Sequence, residues 1–237
     1  IFTRQSVKQE LLDAVRISLI FSLGVTIPQN IVAVFLAVLA NMNLRLKSFY
    51  RAVLFLPNVL GIVAIGLTWR LMFSPSLGIV NTLLKSLFGV NSALLGDPKL
   101  ALPLVIFVQL WISTGWAMVV YIAGLQSIPN ELKEAVRVDG ATPWQTFLNL
   151  TLPLLQPSIT INILISLIGS LKIVDTIYIL TNVDAATKNL PVYIFLGVTG
   201  TGNQGKVAAF GVMHFLLVSV VVVIAQYFLR RRERELE

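Results

Sequence analysis

The chain has 237 residues, 56% of them hydrophobic and only 12% charged, with a mean hydropathy of +0.84; soluble domains are usually about a quarter charged, so the composition argues against a water-soluble fold. The net charge of +7 comes from basic residues scattered between apolar runs, without interleaved aromatics, which excludes a nucleic-acid platform and leaves membrane topology as the meaning of the excess. No cysteine is present, which removes disulfides, thiolate metal sites and cysteine nucleophiles.

The chain opens on Ile1 and a polar stretch, Thr3 to Asp13, with no signal-peptide pattern, so further sequence is expected upstream. Five segments are then long and apolar enough to cross a bilayer: Val15–Leu39, Ala52–Phe73, Leu100–Leu125, Ile159–Leu180 and Val207–Leu229. Each is expected to be helical, because hydrocarbon offers the backbone no hydrogen-bond partners. On the first span, Ser18, Ser22, Thr26 and Gln29 form a polar stripe and Pro28 deprives the Gly24 carbonyl of its helical donor. Such a site serves a cavity or helix packing, and the small pair Ala33 and Ala37 favours packing. The connections at 74–99 and 181–206 read as loops, whereas Gln126–Pro157 reads as an amphipathic helical connection.

Placing 41–51, 126–157 and the C-terminal tail on one side gives it nine basic residues: Arg45, Lys47, Arg51, Lys133, Arg137, Arg230, Arg231, Arg232 and Arg234. The other side has six, Arg4, Lys8, Lys85, Lys99, Lys188 and Lys206. The positive-inside rule then makes the first side, including the C-terminus, cytoplasmic. Five spans leave the visible N-terminus outside, so a sixth helix is expected before Ile1.

Within the long connection, Pro129 follows Ser127 at a helix start, Glu131 and Glu134 lie in the first turns, and Gly140 marks the stop. Thr142, Pro143 and Gln145 have the spacing of a second, capped start, with that helix expected to end before Pro153. Leu132, Ala135, Val136 and Val138 give the first helix an apolar face suited to another protein.

On the fourth span, Asn162, Ser166, Gly169, Lys172 and Thr176 fall on one face at helical spacing, with Asp175 at its edge. A lysine facing lipid is expensive, so this face is expected to look into the bundle, a partner or a water-filled path. Lys172, Asp175 and Tyr178 are therefore candidate path residues, with a Lys172–Asp175 ion pair as the purely structural alternative.

The run Glu134-Ala135-Val136-Arg137-Val138-Asp139-Gly140-Ala141, followed by Trp144, Phe147, Leu152-Pro153 and Pro157, closely resembles the "EAA" loop of binding-protein-dependent ABC importer permeases. Val136 stands where the family's motif has its second alanine. Phe55-Leu56-Pro57, Trp69, Leu125 to Pro129 and Lys172 to Thr181 extend the resemblance to the carbohydrate-uptake branch, similar to the maltose and glycerol-phosphate permease subunits.

The resemblance implies an all-α, polytopic transmembrane bundle of the type I ABC importer kind, one domain over 1–237 with its coupling loop at 126–157. It implies docking to an ATPase through Glu134, Ala135, Asp139, Gly140 and Ala141. The partners it implies are two cytoplasmic ATPase subunits, a second permease subunit, identical or not, an external solute-binding protein and the lipid of a bacterial cell membrane. ATP and Mg are expected on the ATPase, with no cofactor on this chain. The cargo is expected to be a mono- or oligosaccharide, with glycerol phosphate or another small polar solute as the alternative. A secondary transporter using Lys172 and Asp175 for ion coupling is the competing class.

Other patterns carry no chemistry. Gly200 to Lys206 matches phosphate-loop spacing, but Val207 follows the lysine and cannot ligate magnesium. His214 is the sole histidine, which rules out a multi-histidine metal site and makes a packed helix histidine the expectation. Trp69, Trp111, Trp116 and Tyr227 are expected mainly as interfacial anchors.

Overall fold

A computed structural model describes residues 4–42, 46–88, 93–182, 186–200 and 204–234. Among them the regular elements are all helical. The first, α1 (Arg4–Asn41), is a single helix running through Pro28. Its inward stripe is small and polar: Ala14, Ser18, Ser22, Thr26, Asn30, Ala33 and Ala37 are buried at steps of three and four. Small residues let backbones approach closely where lipid supplies no hydrophobic drive between helices. The polar stripe of α1 thus serves packing.

The next apolar run is not one straight span. It divides into α2 (Lys47–Val59) and α3 (Ile62–Met72), bent by 92°. Pro57 removes a donor from the ladder and Leu60 is extended, so the chain turns at Leu60–Gly61. A short helix, α4 (Ile79–Phe88), occupies part of the stretch expected as loop.

Central to the bundle is α5 (Ala101–Gln126), with Val105, Val108, Ile112, Met118 and Tyr121 buried. Its Gly115 is required by close approach: a Cβ there would collide with the Leu54 carbonyl oxygen and lie 2.9 Å from the Phe55 Cα of α2. Then follow α6 (Asn130–Val138), α7 (Pro143–Thr146), a π turn over Phe147–Thr151 and α8 (Leu152–Leu154).

The fourth span is the shorter α9 (Gln156–Leu171), meeting the α7–α8 arm at 65°. It stops at Lys172, and α10 (Asp175–Thr181) begins anew. Asn189 explains the break in part, its Nδ2 donating to the freed Ile173 carbonyl at 2.8 Å. α11 (Leu190–Thr199) is a second helix within an expected loop, capped by Asn189 accepting from the Val192 N–H. α12 (Gln204–Arg234) closes the chain, packed on α11 and α9 and otherwise outward-facing. By length and composition three helices can cross a membrane, or up to five if each bent pair counts as one span.

Cross-helix contacts fix the directions. Gln29 donates to the Ser113 carbonyl and Asn30 accepts from Tyr121, so α1 and α5 run the same way. Thr26 meets Ser170 at 3.4 Å and Asn162 donates to the Ala117 carbonyl at 3.3 Å, so α9 runs the opposite way. Lys206 pairs with Glu10, start of α12 to start of α1. The C-terminal ends of α1, α5 and α12 therefore share one side of the bundle, as the charge count requires. Arg45 and the tail beyond Arg234 lie outside the described residues.

Candidate functional site

On that shared side, the segment between α5 and α9 is built from strong local signals. α6 closes in a Schellman arrangement: Gly140 sits at φ +77° and the Ala141 N–H reaches the Val136 carbonyl at 3.2 Å. The left-handed position penalises a Cβ, and glycine removes the penalty. Two residues on, the Thr142 hydroxyl accepts from the Gln145 N–H while the Gln145 side chain accepts from the Thr142 N–H, a reciprocal capping box.

The second helix does not stop before Pro153, contrary to expectation. It widens into the π turn, where the Leu152 N–H bonds to the Phe147 carbonyl, and so carries the proline through to Leu154.

The arm presents its docking candidates outward. Glu134, Ala135, Asp139 and Gly140 are exposed and Ala141 is half-buried. Apolar groups are exposed beside them: Val138 is 87% and Trp144 67% accessible, the latter stacked on Phe147 at 5.7 Å. Isolated exposed apolar side chains are ordinary, but several on one capped element at the end of a bundle mark a contact surface.

The path candidates occupy a different place. Lys172 lies in the break between α9 and α10, Asp175 opens α10, and Tyr178 follows one turn later, edge-on to Phe195 at 5.4 Å. All three are exposed. No Lys172–Asp175 ion pair forms, so that alternative falls away. The single polar face expected on this span is also corrected. Asn162, Ser166 and Thr176 are buried inside the subunit, whereas Gly169 and Lys172 are exposed, and because α9 ends at Leu171 the face does not continue to Thr176, which α10 carries. Thr176 instead donates to Gln109 at 2.7 Å.

Trp69 and Trp111 cluster with Phe73 and Phe107, with ring centroids 5.3 to 5.6 Å from Trp69, in a packed corner between α3 and α5. His214 is half-buried on α12. Residues 201–203 of the phosphate-loop spacing lie outside the described residues. Among the described residues no group of three or more His, Cys, Asp or Glu is placed to hold a metal ion.

Sequence reasoning missed the Asn30–Tyr121 pair, although Asn30 stands four residues after Thr26 on the same stripe. It also gave no special place to Lys133, whose Nζ reaches the Leu125 carbonyl at 3.4 Å on the inner side of the arm.

Comparison with known proteins agrees with this architecture. The family described as "Binding-protein-dependent transport system inner membrane component" matches residues 29–234. A probable starch degradation products transport system permease protein of Thermoanaerobacterium thermosulfurigenes is 30% identical, over 91% of this chain and 74% of its own length. A lactose transport system permease protein of Rhizobium radiobacter is 32% identical over the same shares. A solved bacterial ABC transporter involved in import of the acidic polysaccharide alginate has a chain that superposes with a TM-score of 0.83 at 26% identity, covering 97% of this chain and 80% of that one. The methionine ABC transporter, at TM-score 0.60 and 15% identity, shares the fold.

Proposed function

The chain belongs to the family of binding-protein-dependent transport system inner membrane components, and from that premise we propose that it forms half of the translocation path of an ATP-driven carbohydrate importer. Its cargo is a mono- or oligosaccharide delivered by an external solute-binding protein. The sugar-transport names of its relatives support the cargo class, and the alginate transporter, solved with a pentasaccharide-bound periplasmic protein, supports the delivery route.

The observation that carries the reading is the arm at 130–154. It is capped at both turns, and its apolar and acidic groups are exposed among the described residues. We assign Glu134, Ala135, Asp139, Gly140 and Ala141 to docking a separate ATPase. That partner binds ATP and Mg and performs hydrolysis; this chain is a permease subunit and needs no cofactor.

The arm and the C-terminus are cytoplasmic in this reading, because Arg51, Lys133, Arg230 and Arg231 gather on the side where α1, α5 and α12 end. Two ATPases closing beneath a pair of permease subunits pull on the two arms. Hydrogen bonds joining α1, α5 and α9 (Thr26–Ser170, Gln29–Ser113, Asn30–Tyr121, Asn162–Ala117) hold these spans together, so the pull moves them as a body.

Lys172, Asp175 and Tyr178 are the path candidates: exposed at a helix break, they offer a donor, an acceptor and an aromatic face to hydroxyl-rich cargo. A secondary transporter has no use for an ATPase-docking arm.

The test is co-purification with the ATPase and uptake by the assembled system. Gly140→Pro abolishes both if the arm docks the ATPase, and retention of the complex overturns the assignment. A panel of neutral oligosaccharides, acidic oligosaccharides and glycerol phosphate tests the cargo class, and uptake of glycerol phosphate alone contradicts it.

A further inference from the structure

Behind the arm the bundle leaves a cavity of about 800 Å³, within the range of roughly 300–1,000 Å³ where ligand sites fall. One wall is α1, where Ile27, Ile31 and Phe35 are 56, 66 and 62% exposed. The facing wall is Trp144, Phe147 and Ile163. The polar groups at its edge are already engaged: Tyr121 donates to Asn30 and Thr26 meets Ser170. Val38, Pro143 and Phe147 are shared with a smaller adjoining cavity that Asn41, Lys133, Thr146 and Thr151 make polar.

We propose that this cleft seats one acyl chain of an anionic phospholipid, with the headgroup at Lys133. Two observations select that occupant. Length is the first: Thr26 to Val38 spans twelve helical steps, about 18 Å of helix, close to the roughly 15 Å depth of one leaflet. The second is polarity, an apolar cleft ending at a polar mouth that among the described residues holds the cation Lys133. A sugar is a poor match because, apart from the Trp144 indole, the described lining is apolar or already hydrogen-bonded. Assigning the lipid to the cytoplasmic leaflet rests on the orientation proposed above; binding itself does not, so failure of the transport reading leaves lipid retention untouched.

The experiment is native mass spectrometry of the protein purified from membranes together with any subunits that accompany it, titrated with phosphatidylglycerol and phosphatidylcholine. The expected result is one phosphatidylglycerol retained per copy of this chain. Its preference over phosphatidylcholine should be about fivefold, the ratio that about 1 kcal/mol per lysine near an anionic surface gives. Ile31→Trp, which projects into open cleft, empties the site, and Lys133→Gln keeps the lipid but brings the preference near one. Should Ile31→Trp fail to assemble, Phe35→Cys in this cysteine-free chain carries a fluorophore that tail-brominated lipid quenches in nanodiscs. Undiminished retention in Ile31→Trp, equal binding of both lipids by the unaltered chain, or capture of a second permease subunit from position 35 in place of quenching overturns the proposal.

Discussion

Gly140 offers a clean perturbation, because a Cβ there meets no atom within 4 Å and the residue is exposed. Within the free subunit, replacement therefore acts only through backbone conformation. At φ +77° an L-residue with a side chain carries roughly 1–2 kcal/mol of strain, which the free subunit sheds by leaving the turn. Docking must restore the turn, so the affinity for the ATPase falls by that amount, about 5- to 30-fold at 1.36 kcal/mol per decade. Gly140→Ala is expected near the lower figure and Gly140→Val near the upper. Gly140→Asn lies close to the unaltered chain, since asparagine tolerates the left-handed region. The assay titrates purified ATPase onto the permease in nanodiscs and reads complex formation, with thermal unfolding of the permease unchanged as the control. Equal affinity of the Val, Ala and Asn variants would refute the idea that this turn presents the docking surface.

Gly115→Ala drives a Cβ into the Leu54 carbonyl, and overpacking of about 1–3 kcal/mol lowers the unfolding midpoint, each kcal/mol being worth about 2–4 °C at this length; an unchanged midpoint contradicts the close approach. Tyr121→Phe removes a bond between α5 and α1 worth about 0.6 kcal/mol, at most about 1.7, and a cycle with Asn30→Ala should return a coupling of that size. Alanine at Lys172, Asp175 or Tyr178 is expected to change transport-coupled ATPase activity, and unaltered uptake in all three variants removes them from the path.

What could be read from residue order was what is decided within a few residues. Gly140, Thr142 and Gln145 act on neighbours three or four positions away, and the turn and capping box stand where their spacing put them. The long apolar runs gave α1, α5 and α12 because length and hydropathy suffice for an unbroken helix. They could not reveal the bend at Leu60–Gly61 or the break after Leu171, since an apolar run reports how much chain avoids water and not whether it is straight. The break depends on Asn189 reaching the Ile173 carbonyl and Thr176 reaching Gln109, partners sixteen and sixty-seven residues away. α11 announced itself through Asn189 and Pro191, but ten residues are too few for a span and so read as loop. The grouping of Lys172, Asp175 and Tyr178 on an exposed joint follows from that same break. Periodicity, assuming one continuous helix, had placed Asn162 and Lys172 on one face.

The central claim is that the arm at 130–154 is the contact with an ATPase. The direct measurement places a photo-reactive label on Ala135→Cys, the only thiol in an otherwise cysteine-free chain, in membranes containing the whole transporter. The account predicts that this label captures the ATPase, in a yield that changes when ATP is added, while the same label on Val223→Cys of α12 captures none. Sugar uptake that persists with no ATPase captured from position 135 would contradict it.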